Sequence, residues 1–206
     1  MIVASFFAPR YEKYEGVDYD ELLFLLDKSC KKLDFKHIVI SDEVRPKPLY
    51  TYLTYLPQNL MQAIIYGQMK LLSEAREPVL LVGADCLLTR DPRPYFLGDL
   101  TITLSDTFSD CKMNTGAVFV KEPKICSEIW ADAYKLKPKE WGEDQIFLYK
   151  AIRESSDVDV KELRCENHNW APRDLDDNAN LPTVVHFRGK RKGFMKDWAN
   201  KYLGIN

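Results

Sequence analysis

Short, almost wholly apolar runs recur along this chain between amphipathic stretches, and that alternation limits the folds open to it. Residues 1–7 (MIVASFF), 37–40 (HIVI) and 79–82 (VLLV) are apolar at both odd and even positions, which suits strands covered on both faces. Between them lie stretches with helical spacing. Residues 19–33 carry Leu22, Leu23, Leu25, Leu26, Cys30 and Leu33, and residues 60–75 carry Met61, Ile64, Ile65, Met69, Leu71 and Leu72. Each set gathers on one side of a 3.6-residue repeat. Asp18, Asp20 and Glu21 stand at the N-terminal end of the first set, where the helix dipole favours negative charge. Further strands are predicted over 99–104, 117–120 and 183–187, and further helices over 124–136 and 144–152. The two prolines of SDEVRPKP (41–48) make that segment a loop, and residues 167–182, rich in Asn and Asp, read as irregular. The alternation predicts an α/β fold with a mostly parallel sheet and helices on both faces. No repeat, low-complexity stretch or composition shift marks a boundary, so one domain is expected.

Composition narrows the function classes. A chain of 206 residues buries roughly 70% of its unfolded surface without help from disulfides. Twenty-nine Lys plus Arg against thirty-one Asp plus Glu leave a net charge of −2, so no global positive field draws the chain to nucleic acid or anionic lipid. No apolar run is long enough for a transmembrane segment, and residues 1–8 lack the charged flank and length of a signal peptide, so a cytosolic protein is expected. The five cysteines (Cys30, Cys86, Cys111, Cys126, Cys165) are odd in number and scattered, with no CxxC pair and no zinc spacing. They read as reduced thiols packed in apolar surroundings.

In open α/β sheets ligands bind beyond the carboxyl ends of the strands, so polar residues just after apolar runs are the candidates. Four places qualify: VLLVGADCLLTRDP with Asp85 and Asp91, KMNTGAVFV with Asn114 and Gly116, WGEDQIFL with Asp144 and Gln145, and TVVHFRGKRKGF with His186. Each also has a plain structural reading. Asp85 and Asp91 suit turns or caps, Asn114-Thr115-Gly116 suits a turn that tolerates positive φ, and Asp144 suits a helix start. His186 suits a half-buried strand end, and Arg188, Lys190, Arg191 and Lys192 suit a solvated basic face.

Taken in order, the four motifs resemble the nucleotide-sugar glycosyltransferases of the GT-A fold, the family of glycogenin and the bacterial lipopolysaccharide galactosyltransferases. In that family an apolar strand delivers Asp-x-Asp and then Asp-Pro, a later strand begins Asn-x-Gly, a helix begins Asp-Gln, and the C-terminal part carries His-Phe-x-Gly-x-x-Lys. The resemblance spans residues 1 to 198 and implies transfer of a sugar, with retained configuration, from a donor such as a UDP-hexose to a hydroxyl. It implies a divalent cation, manganese or magnesium, held by Asp85 and His186. It implies donor contacts from Ala84, Asn114 and Gly116, and a loop bearing Gly189 and Lys192 over the diphosphate. Asp144 and Gln145 would face the donor sugar and the acceptor, with Asp144 stabilising the transition state. Ala8, Tyr11 and Tyr14, just after the first strand, match the segment that holds the base.

The departures from the family pattern bear on the chemistry. Gly83 stands where the first Asp of Asp-x-Asp belongs, Gly193-Phe194 replaces Pro-Trp, and Ile146 replaces an acidic residue after Asp-Gln. A hard divalent ion prefers several oxygen ligands, so loss of one carboxylate weakens the expected site. The basic cluster around Lys190 offers a metal-independent substitute, and a relative that binds nucleotide-sugar or glycan without turnover is the alternative. A third reading, a phage-type transferase acting on modified DNA bases, draws on the same basic run with Trp170 and Phe194 nearby. The acceptor (glycan, protein or modified nucleic acid) and the oligomeric state stay open.

Overall fold

The computed structural model describes residues 1–11, 16–105, 111–178 and 180–205, with the side chain at position 11 excepted. Its elements are β1 (Ile2–Phe6), α1 (Tyr19–Lys32), β2 (Lys36–Ser41), β3 (Tyr50–Leu53), α2 (Leu60–Glu74), β4 (Val79–Val82), β5 (Cys86–Leu88), β6 (Leu100–Leu104), β7 (Met113–Val120), α3 (Pro123–Lys135), α4 (Glu143–Glu154), β8 (Val160–Arg164), α5 (Cys165–His168), β9 (Val184–His186) and α6 (Met195–Leu203). The helix starts are set locally. The Asp18 carboxylate accepts the Glu21 N–H at 3.0 Å, and the Asn59 side chain accepts the N–H groups of Met61 and Gln62 at 2.9 and 3.2 Å.

Seven strands form one sheet in the order β3-β2-β1-β4-β7-β6-β8. Every pairing is parallel except the two made by β7, which runs against both β4 and β6. The expected mostly parallel sheet is therefore present, with one reversed strand beside its centre. Successive residues of the central strands alternate between two apolar layers, as the pleat requires. Val79, Leu81, Val118 and Val120 pack with Leu72 of α2, Trp130 of α3 and Leu148 of α4. Leu80, Val82, Ala117 and Phe119 pack on the other face with Leu26 and Cys30 of α1 and with Val184. Trp198 of α6, fully buried, joins Leu22 and Leu25 of α1 beyond them. Among the described residues, no helix is long and apolar enough to cross a membrane.

The structure differs from the sequence expectations in four respects. β3 and β8 are edge strands with mixed, partly exposed faces, so they lack the apolar run that marks the central strands. β7 begins at Met113, so Asn114-Thr115-Gly116 belongs to the strand and not to a turn before it. The strand at 183–187 does not join the main sheet; β9 pairs antiparallel with β5 in a separate two-stranded ribbon. Finally, the basic segment after His186 is a 3-10 helix over Gly189–Phe194 that leads directly into α6.

Candidate active site

The ribbon brings the distant motifs together. After β4 the chain turns through Gly83, Ala84 and Asp85 into β5, and the β5–β9 register sets Cys86 opposite His186. The Phe187 N–H donates to the Asp85 carbonyl at 2.8 Å, so Asp85 and His186 stand side by side. Their side chains meet with Asp85 Oδ1 3.3 Å from His186 Nε2. One turn into the 3-10 helix, Lys192 Nζ reaches Asp85 Oδ2 at 2.7 Å. Burial by itself would raise the Asp85 carboxyl, but His186 and Lys192 outweigh it and hold the group well below the usual carboxylate range. Asp85 is thus a carboxylate at any working pH.

These three side chains are 10–13% exposed and lie on the wall of a cavity of about 940 Å³. The same cavity is lined by Ala8, Ala84, Asn114, Gly116, Asp144, Gln145, Arg188 and Gly189. The site residues that the family resemblance implies therefore border one space, save Tyr14 and the side chain of Tyr11, which lie outside what the structure describes. Ala8 is itself buried, against Leu56 and Ala63. Asp91 is not part of the site: it caps the turn at Arg93–Tyr95 and pairs with Arg93. Trp170 and Phe194 are packed into the apolar cluster around Trp198, with Phe194 edge-on to Phe187, so neither is a free stacking platform for a base.

Two glycines shape the site. A Cβ on Gly116 would fall on the His186 ring, so only glycine admits the imidazole there. A Cβ on Gly83 would lie 2.6 Å from Asp85 Oδ1 and 3.6 Å from His186 Nε2. The Asp85 carboxylate therefore occupies the space above Gly83 that a side chain at position 83 would need.

Asp144 and Gln145 open α4, after Gly142 in the left-handed conformation (φ +86°). The Thr115 N–H donates to Gln145 Oε1 at 3.1 Å, which ties this helix start to β7. Burial pushes the Asp144 carboxyl up to about 6, against the backbone N–H groups of the helix start, which pull it down. Asn114 is 3% exposed, and its Oδ1 accepts the Gly116 N–H at 2.9 Å and the Asn169 Nδ2 at 3.0 Å. Asn169, in the stretch expected to be irregular, was not among the sequence candidates, and no motif marks it. Trp141, 70% exposed beside the cavity, was also passed over.

Asp85, Cys86 and His186 offer ligand atoms within 4.8 Å of one another. A 3.3 Å separation suits one carboxylate oxygen and one imidazole nitrogen on neighbouring positions of a hard divalent ion. Cys86 does not suit such an ion. Burial first, and then the Asp85 charge, pushes its thiol well up, and its Sγ donates to the Gly116 carbonyl at 3.4 Å. Asp85 and His186 would thus fit such an ion, whose further oxygen ligands would come from a bound substrate or water.

No protein-family model and no curated protein matches the chain. Solved structures match its fold. A glycosyltransferase involved in the glycosylation of the major capsid of PBCV-1 is similar at a TM-score of 0.63 and 14% identity, over 96% of this chain and 98% of that one. The galactosyltransferase LgtC, in complex with donor and acceptor sugar analogs, gives 0.57 at 14% identity over 98% and 96%. The glycosyltransferase GlyE of Streptococcus pneumoniae TIGR4 gives 0.65 at 14% identity, over 96% of this chain and 58% of its own. The chain has the GT-A fold.

Proposed function

We propose that the chain is a retaining glycosyltransferase, built as one domain, that moves a hexose from a UDP-sugar or related nucleotide-sugar to a hydroxyl on a glycan or protein. The observation that carries this reading is the convergence of Asp85, His186 and Lys192 on the cavity that Asp144 and Gln145 also line. The fold supports it, since the similar structures are glycosyltransferases and one holds donor and acceptor sugar analogs.

A nucleotide-sugar reacts by losing a diphosphate, so positive charge must wait where negative charge grows. Lys192 is that charge among the chain's own residues, and Arg188 lines the same space. Asp85 keeps the Lys192 ammonium at the cavity wall. Asp144, poorly solvated, is ionised at neutral pH and opposes the positive charge that develops on the sugar carbon. Gln145, fixed by Thr115, holds the start of α4 in register with it. Asp85 and His186 would hold a divalent cation, manganese or magnesium, which when bound would supply further positive charge to the diphosphate side of the donor.

A panel of nucleotide-sugars, with and without manganese, tests the reading by melting temperature and by release of nucleoside diphosphate. A donor-specific rise in melting temperature together with turnover is expected. Failure of every donor to shift the melting temperature overturns the proposal. One observation favours a second reading, binding without turnover: Lys192 already neutralises the lone carboxylate beside Gly83. Donor binding by an inert wild type, with manganese-dependent turnover gained in Gly83→Asp, would establish that reading instead.

A further inference from the structure

The cavity has lining of two kinds. Arg188 and Lys192 supply positive charge, which suits a diphosphate. Leu60 and Ile64 of α2, Trp141, and Ile146 of α4 supply an apolar wall that the proposed donor chemistry does not use. Ile146 stands where the resembling family keeps an acidic residue, so the wall is more apolar here than the motif foretells.

Trp141 is the unusual member of that wall. Of the four tryptophans, Trp130 and Trp198 are fully buried, Trp170 packs into the cluster around Trp198, and Trp141 is 70% exposed. A lone exposed aromatic needs no explanation by itself, but this one borders a cavity on a braced turn. The Glu143 carboxylate accepts the Lys139 and Glu140 N–H groups at 2.6 and 2.9 Å, and Gly142 takes the left-handed conformation. Asn59 Nδ2 donates to the Lys139 carbonyl at 3.1 Å, which ties the turn to the start of α2 and so to Leu60 and Ile64. The rim is therefore ordered before any ligand arrives.

An aromatic face close in sequence to a carboxylate and an amide selects an amphipathic ligand. Asp144 and Gln145 follow Trp141 by three and four residues and border the same space. Gln145 commits Oε1 to the Thr115 N–H, which leaves Nε2 as a donor, whereas the ionised Asp144 only accepts. Sugar hydroxyls serve both groups, and the C–H face of a pyranose, with its positive partial charge, fits the negative face of an indole. An alkyl chain would leave the carboxylate and the amide unmatched, and a serine or threonine side chain has no flat C–H face.

The geometry points to Trp141 as the acceptor platform: the acceptor is a saccharide whose ring lies on the indole with its hydroxyl edge toward Asp144 and Gln145. This inference rests on the proposed function in giving the cationic lining to the donor.

Acrylamide quenching of the full chain reads the platform, because Trp141 is the exposed indole, and Trp141→Phe identifies its emission by loss. The probes are lactose, maltose and the methyl glycosides of glucose and galactose, beside a serine-containing peptide and octanol, each with and without UDP. At least one saccharide should protect Trp141, and the peptide and octanol should not. In turnover with that saccharide, Trp141→Ala should raise its KM about tenfold and move kcat less, and Trp141→Phe should recover most of the loss. Protection by the peptide or octanol alone, or by no probe, overturns the inference, and so does an unchanged KM in Trp141→Ala. If no nucleotide-sugar raises the melting temperature but a saccharide still protects Trp141, the sugar platform stands and the transferase reading falls. A donor-specific shift with Trp141 unprotected does the reverse.

Discussion

Among the described residues, aspartate, histidine and lysine come together in two trios, and the two serve different ends. In one, Asp27 of α1 pairs with Lys31 a turn later at 2.6 Å and faces His37 of β2 at 3.9 Å, while His37 Nε2 meets Ser5 Oγ of β1 at 2.9 Å. In the other, Asp85 meets His186 and Lys192 at 3.3 and 2.7 Å. The groups are the same, but access differs. Asp27 and His37 are 1% and 0% exposed, only Lys31 reaches solvent, and none of the three lines the cavity beside Asp85, so that trio pins α1 to the sheet. The Asp85 trio is 10–13% exposed on a cavity wall, where its charges can reach a ligand. Burial makes the first a structural joint, and a small opening to the cavity makes the second a candidate site.

Substitutions should separate the two trios. Asp85→Asn removes the charge that holds Lys192 and should lower turnover of the folded protein by about a hundred- to a thousandfold. If initial rates fall less than tenfold, the trio is not the working part of the site. Gly116→Ala pushes a methyl into the His186 ring and should cut turnover and donor affinity at least roughly tenfold while the far-ultraviolet circular dichroism stays native. An unchanged donor affinity by calorimetry would separate the histidine from the donor. Asp27→Ala acts on the other trio. It should cost about 2 kcal/mol, roughly 4–8 °C in melting temperature, with normal turnover in the folded protein.

The smallest effects lie in the pH dependence, and they oppose each other. Burial, assisted by Lys31, depresses His37 to about 3, so the unfolded chain binds the proton more readily. Its contribution is fully present above about 6.5 and is lost as pH falls toward about 3. Asp144 has the reverse sign. Its carboxyl is raised to about 6, so stability declines as pH rises from about 4 to about 6. Urea unfolding across that range should show His37→Gln flattening the acid loss and Asp144→Asn removing the decline. Turnover should also rise with pH through about 6, and Asp144→Asn should abolish that limb along with most of the rate.

The two trios also differ in how far the chain reveals them. Asp27 and Lys31 stand four apart in a stretch whose leucines already declare a helix, and HIVI declares the strand that brings His37. Their meeting follows from neighbouring elements. Asp85 and His186 are legible as candidates because they follow or close apolar runs, and Lys192 only through the family resemblance, but their contact is not. It depends on β5, a three-residue strand, pairing with β9 outside the main sheet. The expectation that Asn114-Thr115-Gly116 forms a turn failed for a related reason. Those residues lie in β7, where groups distant in sequence meet their polar atoms: Thr103 and Asn169 donate to Asn114, and Gln145 accepts the Thr115 N–H.

Hydrophobic periodicity by itself determined the α/β class, the central strands and the main helices, because a pleat and a 3.6-residue turn print their faces directly onto the order of side chains. It also singled out the polar residues at the strand ends. Only the tertiary structure decided which of them share a cavity, which strand runs reversed, and which histidine is shut away. Those outcomes follow from pairing between segments far apart in the chain and from the water that burial removes, and neither is a local property of the sequence.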